Sequence, residues 1–427
     1  MWSVLVLHQA PSGTKCNITV VAIDLAADPV RDWAESGIAS LTGRVDGPPL
    51  LPPGRAATVA RERSAWIAAA SGGVVDVDGA RLLSERAAFT GHRRSGAVSA
   101  GGACRLLPTI DGWAAVSCAR PDDPLLLGAL IGAEIPDDPW PAVADWLVEH
   151  TGSELAERAE LLGIAAGPVE HGAAAPPAPS DPRSVDGLLV VDFSALWAGP
   201  LCAHLLGLAG ARVVKVETPS RPDGARRGNV DFYRLLHGGH ESVVLDPDDA
   251  TQRSELAELV AAADIVIEAS RPRALAGFGL DAARAVNEGT TWISITSHGR
   301  DSHRVGFGDD IAASAGLIAY DAEGPVFVGD AIADPLTGLT AAALAMSAPP
   351  DGRGMFWDIS MSAVVAATLD EPTTVSQPAI REGEQWVFPS PSGVVPVAEP
   401  RKRDIIGEAA ESGRDTRRVL TDLGIRS

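Results

Sequence analysis

Unbroken apolar runs of strand length alternate with helical patterns through the second half of the chain. Leu188 to Asp192 is the first such run and Val213 to Glu217 the second. Between them the turn Ala198-Gly199-Pro200 leads into a helical stretch, Cys202 to Ala209, apolar on every face and ended by Gly210. Strand, helix and strand within about thirty residues predict a βαβ unit. Runs of Val, Ile and Leu without alternation predict parallel strands buried on both faces. The pattern continues with strands at Ser242–Leu245, Asp264–Glu268 and Thr291–Thr296. A helix over Ala250–Ala263 is capped by the Asp246-Pro247-Asp248-Asp249 run, and Ala363–Leu369 reads as helical. Asp223 to Gly239, rich in Gly and Arg, reads as a loop. The second half is therefore expected to be α/β, an open parallel sheet of Rossmann type, whose ligands sit outside the carboxyl ends of the strands.

The first half is patterned differently. Ile18–Leu25 reads as a strand, a short helix begins near Asp32 and closes at Gly37, and Ala56–Ala70 has helical periodicity. Val74–Val77 reads as a short strand. Asp111-Gly112 between two apolar runs is a hairpin signal. Trp140–His150 and Glu154–Leu162 read as amphipathic helices. The expected division is a smaller α+β domain over 1–170, an Ala/Pro-rich linker over 171–186, the parallel-sheet domain over 187–370, and an extended tail with a terminal helix over 371–427.

The formal net charge of −21 argues against general binding to nucleic acid or an anionic membrane. It leaves room for a local basic pocket. Cys16, Cys104, Cys118 and Cys202 lack metal-ligand spacing, and no metal site is expected; three of them sit in apolar segments, as buried thiols of a reducing cytoplasm do. Met1–Leu7 is short and lacks a basic start, so it is not expected to be a signal peptide, and no segment reaches the roughly 18 apolar residues needed to span a bilayer. Gly101 and Gly102 allow a backbone to lie close against a ligand. Asp334 before Pro335 reads as a helix N-cap.

The second half resembles the class III CoA-transferase family (CaiB/BaiF type), which includes formyl-CoA and carnitine CoA-transferases and α-methylacyl-CoA racemases. The resemblance rests on Val191-Asp192-Phe193-Ser194 with Trp197-Ala198-Gly199-Pro200, on Gly210 to Glu217, and on Asp264 to Glu268. It continues through Gly329-Asp330-Ala331-Ile332-Ala333-Asp334-Pro335-Leu336-Thr337-Gly338 and Gly352-Arg353-Gly354 with Trp357 to Ser360. Ser99 to Gly102 before Pro108 to Trp113 resembles the glycine loop and hairpin of the family's smaller second domain, which here precedes the sheet domain. Leu41-Thr42-Gly43 and Gly54 to Val59 weakly resemble the segment around Asp334, with Val59 at its position. The changed order reads as a permutation or fusion of the family's parts.

The resemblance implies an acyl-CoA:carboxylate CoA-transferase with Asp334 as nucleophile and no permanently bound cofactor, coenzyme A thioester being the substrate. Its partners would be an acyl-CoA and a carboxylic acid, and family members are interlocked dimers, which implies a homodimer. Gly101 and Gly102 would stabilise an oxyanion or cover the thioester. Trp197 and Ala198 would line the pantetheine and thiol region. Leu236, His237, Gly238 and Gly239, with Ala269, Ser270 and Arg271 and with Ser297, His298, Gly299 and Arg300, would approach adenosine and phosphates. Asp330 is a second candidate nucleophile. Departures from the family are His240-Glu241 where a basic pair is frequent, Thr218 for Arg, Gly277 for Arg, and Asp309 where the racemases carry His. The last of these lowers an isomerase reading, because α-proton exchange wants a base poised near neutrality. A degenerate, non-catalytic CoA-binding subunit is the remaining alternative.

Overall fold

Around Asp111-Gly112 the chain reverses as expected. β1 (Cys104–Thr109) and β2 (Gly112–Ser117) pair antiparallel, Thr109 opposite Gly112, and β3 (Ala166–Pro168) adds to the free edge of β2. The computed structural model describes residues 28–134, 138–172, 174–269, 273–349, 352–370 and 375–425. The segments Met1–Leu7 and Ile18–Leu25, Cys16, Ser270 and Arg271 lie outside the described residues. Helices Trp140–Leu147 and Gly152–Leu162 cover the small sheet, the second opened by a capping box of Thr151 and Glu154. Leu127, Leu130, Val143, Leu147, Leu155 and Ile164 form a core of their own beneath it.

In the second half, β4 (Leu189–Asp192), β5 (Arg212–Glu217), β6 (Glu241–Val244), β7 (Ile265–Glu268) and β8 (Thr291–Thr296) are all parallel. A hairpin of β9 (Ile318–Asp321) and β10 (Gly324–Phe327) stands apart, and β11 (Phe356–Ser360) pairs parallel with β8. The sheet order is β11-β8-β7-β4-β5-β6. The chain thus moves outward one way from β4 and then returns to build the other way from β7. The crevice between the carboxyl ends of β4 and β7 is where an open α/β sheet takes its ligands. Five of the six strands were read from the sequence, and β11 was not; the helix after β4 begins earlier than its pattern predicts, at Ala198, so that Gly199 and Pro200 form its first turn.

Residues 29–90 do not pack with the small sheet. Trp33, Ile38, Ala57, Ala60, Ile67 and Leu83 share one core with the sheet-domain helices Ala198–Leu208 and Ala333–Ala345. These early helices are apolar on the face that meets Ala333–Ala345, a helix that is apolar all round and therefore needs covering on every side. Val74–Val77 is not a strand; Asp78 instead caps the turn Gly79–Leu82, its side chain accepting from Ala80 N and Arg81 N. The expected loop 223–239 contains a helix, Val230–His237, because Asn229 caps it through Phe232 N and Phe232, Tyr233, Leu235 and Leu236 supply a buried face. The tail is also more ordered than expected. β12 (Ile380–Glu382), β13 (Gln385–Ser390) and β14 (Gly393–Pro396) form a third antiparallel sheet against helix Pro29–Ser36, while Val419 and Leu420 of the last helix close the second face of the parallel sheet.

Cys104 and Cys202 are buried free thiols and Cys118 a partly buried one. No helix among the described residues is long and apolar enough to cross a membrane, and among them no cluster of His, Cys, Asp and Glu could hold a metal ion.

Candidate active site

The Ala333–Ala345 helix presents one side chain to open space. All its residues are buried except Asp334, which lies in its first turn. Gly338, one turn on, lets this helix press against the start of the Ala198–Leu208 helix: a Cβ there would stand 2.7 Å from Ala198 O. That approach brings the Ala198 N–H to the Asp334 carboxylate, which accepts a hydrogen bond from it. Asp334 is the second residue of its helix and not the N-cap, a place held by Ile332 without a side-chain cap. Two helix N-termini therefore meet at this carboxylate, and each favours negative charge there.

Asp334 forms part of the wall of a cavity of about 1230 Å³, lined also by Trp197, Ala198, Ala269, Thr296 and Ser297 from the ends of β4, β7 and β8. Opposite them Gly101, Cys104 and Ser117 contribute the small sheet's wall. Gly308 packs directly on the nucleophile candidate, since a Cβ added to it would fall 2.1 Å from Asp334 Oδ2 and 2.6 Å from Ala331 O. Gly308→Ala is thus expected to displace the Asp334 carboxylate and to shift the backbone at Ala331, without unfolding the chain. Turnover should fall by roughly 100-fold, the scale of an ångström-sized misplacement. Steady-state kinetics beside an unchanged circular dichroism spectrum would check this, and wild-type turnover would refute it.

Four carboxylates gather here with very different charge states. Asp330 is fully buried, and burial by itself would raise its pKa. Arg86 more than offsets this: its Nε lies 2.9 Å from Oδ2 and its Nη2 bonds Oδ1, while His92 Nδ1 lies 3.2 Å away, and the Asp330 carboxyl is held at about 2. This makes Asp330 a fixed counter-ion, and it does not line the cavity, so its reading as a nucleophile is corrected. Burial pushes Asp334 up to about 7, opposed by Arg86 and helped by Asp309 and Asp330. Asp309, at the cavity wall, is lifted by burial and by Asp330 to about 6, although Ala331 N donates to it at 2.7 Å. Asp310 is turned away to the small sheet, accepting from Ser117 Oγ at 2.9 Å and Phe307 N at 3.0 Å, and burial raises it to about 7.

The geometry gathers Gly101, Trp197, Ala198, Leu236, Ala269, Ser297, Gly299, Arg300 and Asp334 around one cavity. Trp197 is edge-on to Phe232 and lies under the Arg86 guanidinium. Other expected residues stand elsewhere. Gly102 is exposed, its φ of 81° serving the turn after Ser99. His237 is buried against Tyr233 and near Asp223, with neither ring nitrogen partnered. Gly238 and Gly239 line a separate cavity of about 470 Å³ with His204 and His240. His298 is not among the lining residues; its Nδ1 is buried without a partner, and burial lowers its pKa to about 4. The charge of Arg300 is taken up by Glu268, which also accepts from Ser294 Oγ and Trp292 Nε1.

Sequence reasoning missed Arg86, His92 and Gly308, whose roles depend on partners far away in the chain. It also missed Arg221 and Arg227, exposed at the cavity and without an ion-pair partner among the described residues. The loop carrying them is pinned from below. Buried Lys215 lies 3.0 Å from Asp223, which accepts from Leu196 N at 3.1 Å, and Arg226 holds Glu217 in a bidentate pair. Leu196 takes a φ of 69° to make that turn.

A doubly wound α/β sheet with a large carboxylate-bearing cavity at its switch point is a ligand-binding architecture for small metabolites. Residues 185–391, a little under half of the chain, match the model of CoA-transferase family III. Succinyl-CoA–D-citramalate CoA-transferase of Chloroflexus aurantiacus is 29% identical over 241 residues, 51% of this chain and 60% of the relative. Succinate–glutarate CoA-transferase of Agrobacterium fabrum is 28% identical over 250 residues, covering 52% and 62%. The chain thus spans about three-fifths of the length of these relatives. Among solved structures, a CaiB/BaiF family protein from Brucella suis is similar at 25% identity over 50% of this chain and 65% of that one, with a TM-score of 0.42.

Proposed function

We propose that the protein is an acyl-CoA:carboxylate CoA-transferase whose nucleophile is Asp334. The observation that carries this reading is a carboxylate with no ion-pair partner among the described residues, the one open residue of a buried helix, set on the wall of a cavity large enough for a thioester. The relatives' names describe transfer of CoA to carboxylic acids, which agrees with it.

The steps use this chain's groups as follows. An Asp334 oxygen attacks the thioester carbon and CoA leaves as the thiolate, giving a mixed anhydride. The thiolate then attacks the aspartyl carbonyl and releases the first acid, leaving an aspartyl thioester. The acceptor carboxylate attacks this thioester, CoA leaves again, and its return to the acceptor's acyl carbon restores the Asp334 carboxylate. Dividing one difficult exchange into such steps is what covalent catalysis offers. The Ala198 N–H at a helix start is placed to stabilise oxygen charge at the aspartyl carbonyl. Trp197 and Phe232 wall the thiol region, and exposed Arg221 and Arg227 suit the CoA phosphates in the role expected of Arg271 and Arg300.

Asp334 must be ionised to attack. With its pKa near 7, kcat/KM is expected to rise with pH through about 7 and level off above it. A profile flat from pH 5 to 9 would contradict the assignment. The covalent step itself is tested by intact-protein mass after incubation with a panel of acyl-CoAs: a CoA-sized or acyl-sized gain, released by hydroxylamine and mapped to Asp334, is expected, and its absence with every donor that binds would refute the route.

One observation favours a second reading, an acyl-CoA isomerase. Asp309 stands where a racemase would carry His, but its surroundings lift it to about 6, so the site keeps a base near neutrality despite the change of residue type. Deuterium gained at Cα in heavy water, without exchange between acids, would select the isomerase.

A further inference from the structure

Six arginines line the main cavity, and their partners differ in a way that marks one of them out. Arg86 is paired with Asp330, Arg120 with Asp123, and Arg300 with Glu268. Arg221 and Arg227 are unpaired but exposed, where water solvates them. Arg304 alone is both partly buried and without a carboxylate within ion-pair distance among the described residues. A partly buried guanidinium with no counter-ion stands out in a chain of net charge −21, which has acidic residues to spare for pairing.

Arg304 is also held in place. Its carbonyl accepts from Ser297 Oγ at 2.5 Å and its N–H donates to Ser302 Oγ at 3.1 Å. The tip of its guanidinium abuts β3, where a Cβ on Gly167 would fall 2.3 Å from Nη2. A planar, unpaired fork on a cavity wall, carried by a backbone that is itself hydrogen-bonded, suits bidentate binding of a carboxylate. The loop from Arg304 runs to Gly308, which touches Asp334. Four residues of chain span at most about 14 Å. Arg304 and Asp334 thus line the same cavity, within reach of one short ligand.

We propose that Arg304 binds the second carboxylate of a short dicarboxylic substrate, free or as its CoA thioester, whose first carboxyl reacts at Asp334. This rests on the transferase reading. In that arrangement Arg304 sets specificity without touching the reacting atoms.

The test compares wild type, Arg304→Met and Arg304→Lys in two series. One pairs succinyl-CoA against butyryl-CoA with a fixed acceptor; the other pairs succinate against butyrate with a fixed donor. The ratio of kcat/KM for the dicarboxylic over the monocarboxylic member is expected to fall about 100-fold in Arg304→Met, the scale of a lost charge-assisted pair, and less in Arg304→Lys. The series in which it falls tells whether the donor or the acceptor carries the second carboxylate. A ratio within about threefold of wild type in both series overturns the proposal. If the wild type transfers CoA between no pair, the transferase reading fails, and calorimetric titration of succinate and butyrate then judges Arg304. Preference for succinate that Arg304→Met removes supports it, and equal binding overturns it. Should Arg304→Met fail to fold, Arg304→Lys and the wild-type preference decide by the same criteria.

Discussion

Asp334→Ala is expected to lower CoA transfer by at least roughly 10⁴-fold, because removing a covalent nucleophile leaves only binding and proximity. The same variant should lose the mass adduct entirely while keeping its affinity for CoA, since Trp197, Arg221 and Arg227 are untouched. Loss of fold would give the same kinetic result, and pH separates the two explanations. The Asp334 carboxyl is raised from 3.8 to about 7 in the folded chain. A raised acid leaves stability unaffected below its unfolded pKa and weakens it progressively as pH climbs toward the folded value. Removing Asp334 takes away that penalty. At pH 8 the variant should melt at or above the wild-type temperature, and at pH 4 the difference should shrink. An inactive variant that melts lower at pH 8 would point to damage; one that remains active would remove Asp334 from the chemistry and leave Asp309 as the carboxylate to examine.

How much of this site the sequence disclosed depended on how local each cause was. Strands such as Leu189–Asp192 and Ile265–Glu268 were legible because burial on both faces leaves a nearly unbroken apolar run, whereas the edge strand Phe356–Ser360, partly exposed and interrupted by Asp358, was not. The Val230–His237 helix was obscured by Gly and Arg around it, although its Asn229 cap was a signal that could have been read. The tail strands were obscured by their exposure: Ile380–Glu382 is exposed at every position, so no apolar alternation marks it. The placement of residues 29–90 beside the Ala333–Ala345 helix was not legible, because two helices each too apolar for solvent can be satisfied by many partners. At the site itself the motif around Asp334 falls on a helix that borders the large cavity. It ranked Asp334 above Asp330, four residues earlier, by resemblance alone, because the physical difference between them is made by Arg86, 244 residues away along the chain from Asp330. Likewise Asp309 was read by its residue type, whereas its protonation is set by burial and by Asp330.

Arg86→Met is expected to have the second-largest effect, and to change both stability and the pH profile. The Asp330 side chain is completely buried, and Arg86 supplies the bidentate contact to it. Breaking a buried pair from one side leaves an uncompensated charge and costs about 3–5 kcal/mol. In the wild type the lowered pKa of Asp330 gives stability that is present above the unfolded value of 3.8 and is lost as pH falls toward about 2. Without Arg86, burial and the neighbouring Asp309 and Asp334 dominate, and Asp330 becomes a raised acid. Its contribution then changes sign: the variant should lose stability as pH rises from 5 to 9, where the wild type gains nothing from Asp330 and loses nothing. Asp334 is affected in the same direction, because Arg86 is the cation that restrains its pKa. The inflection in kcat/KM should move from near 7 to a more alkaline pH, so the variant is weakest at neutral pH and recovers partly on the alkaline side. Arg86→Lys keeps the charge but loses the fork and should fall between the two. Thermal melts and pH–rate profiles of the three proteins distinguish this from simple loss of packing on Trp197, which would lower activity without moving the inflection. A profile for Arg86→Met that still turns near pH 7 would show that Arg86 does not tune the nucleophile.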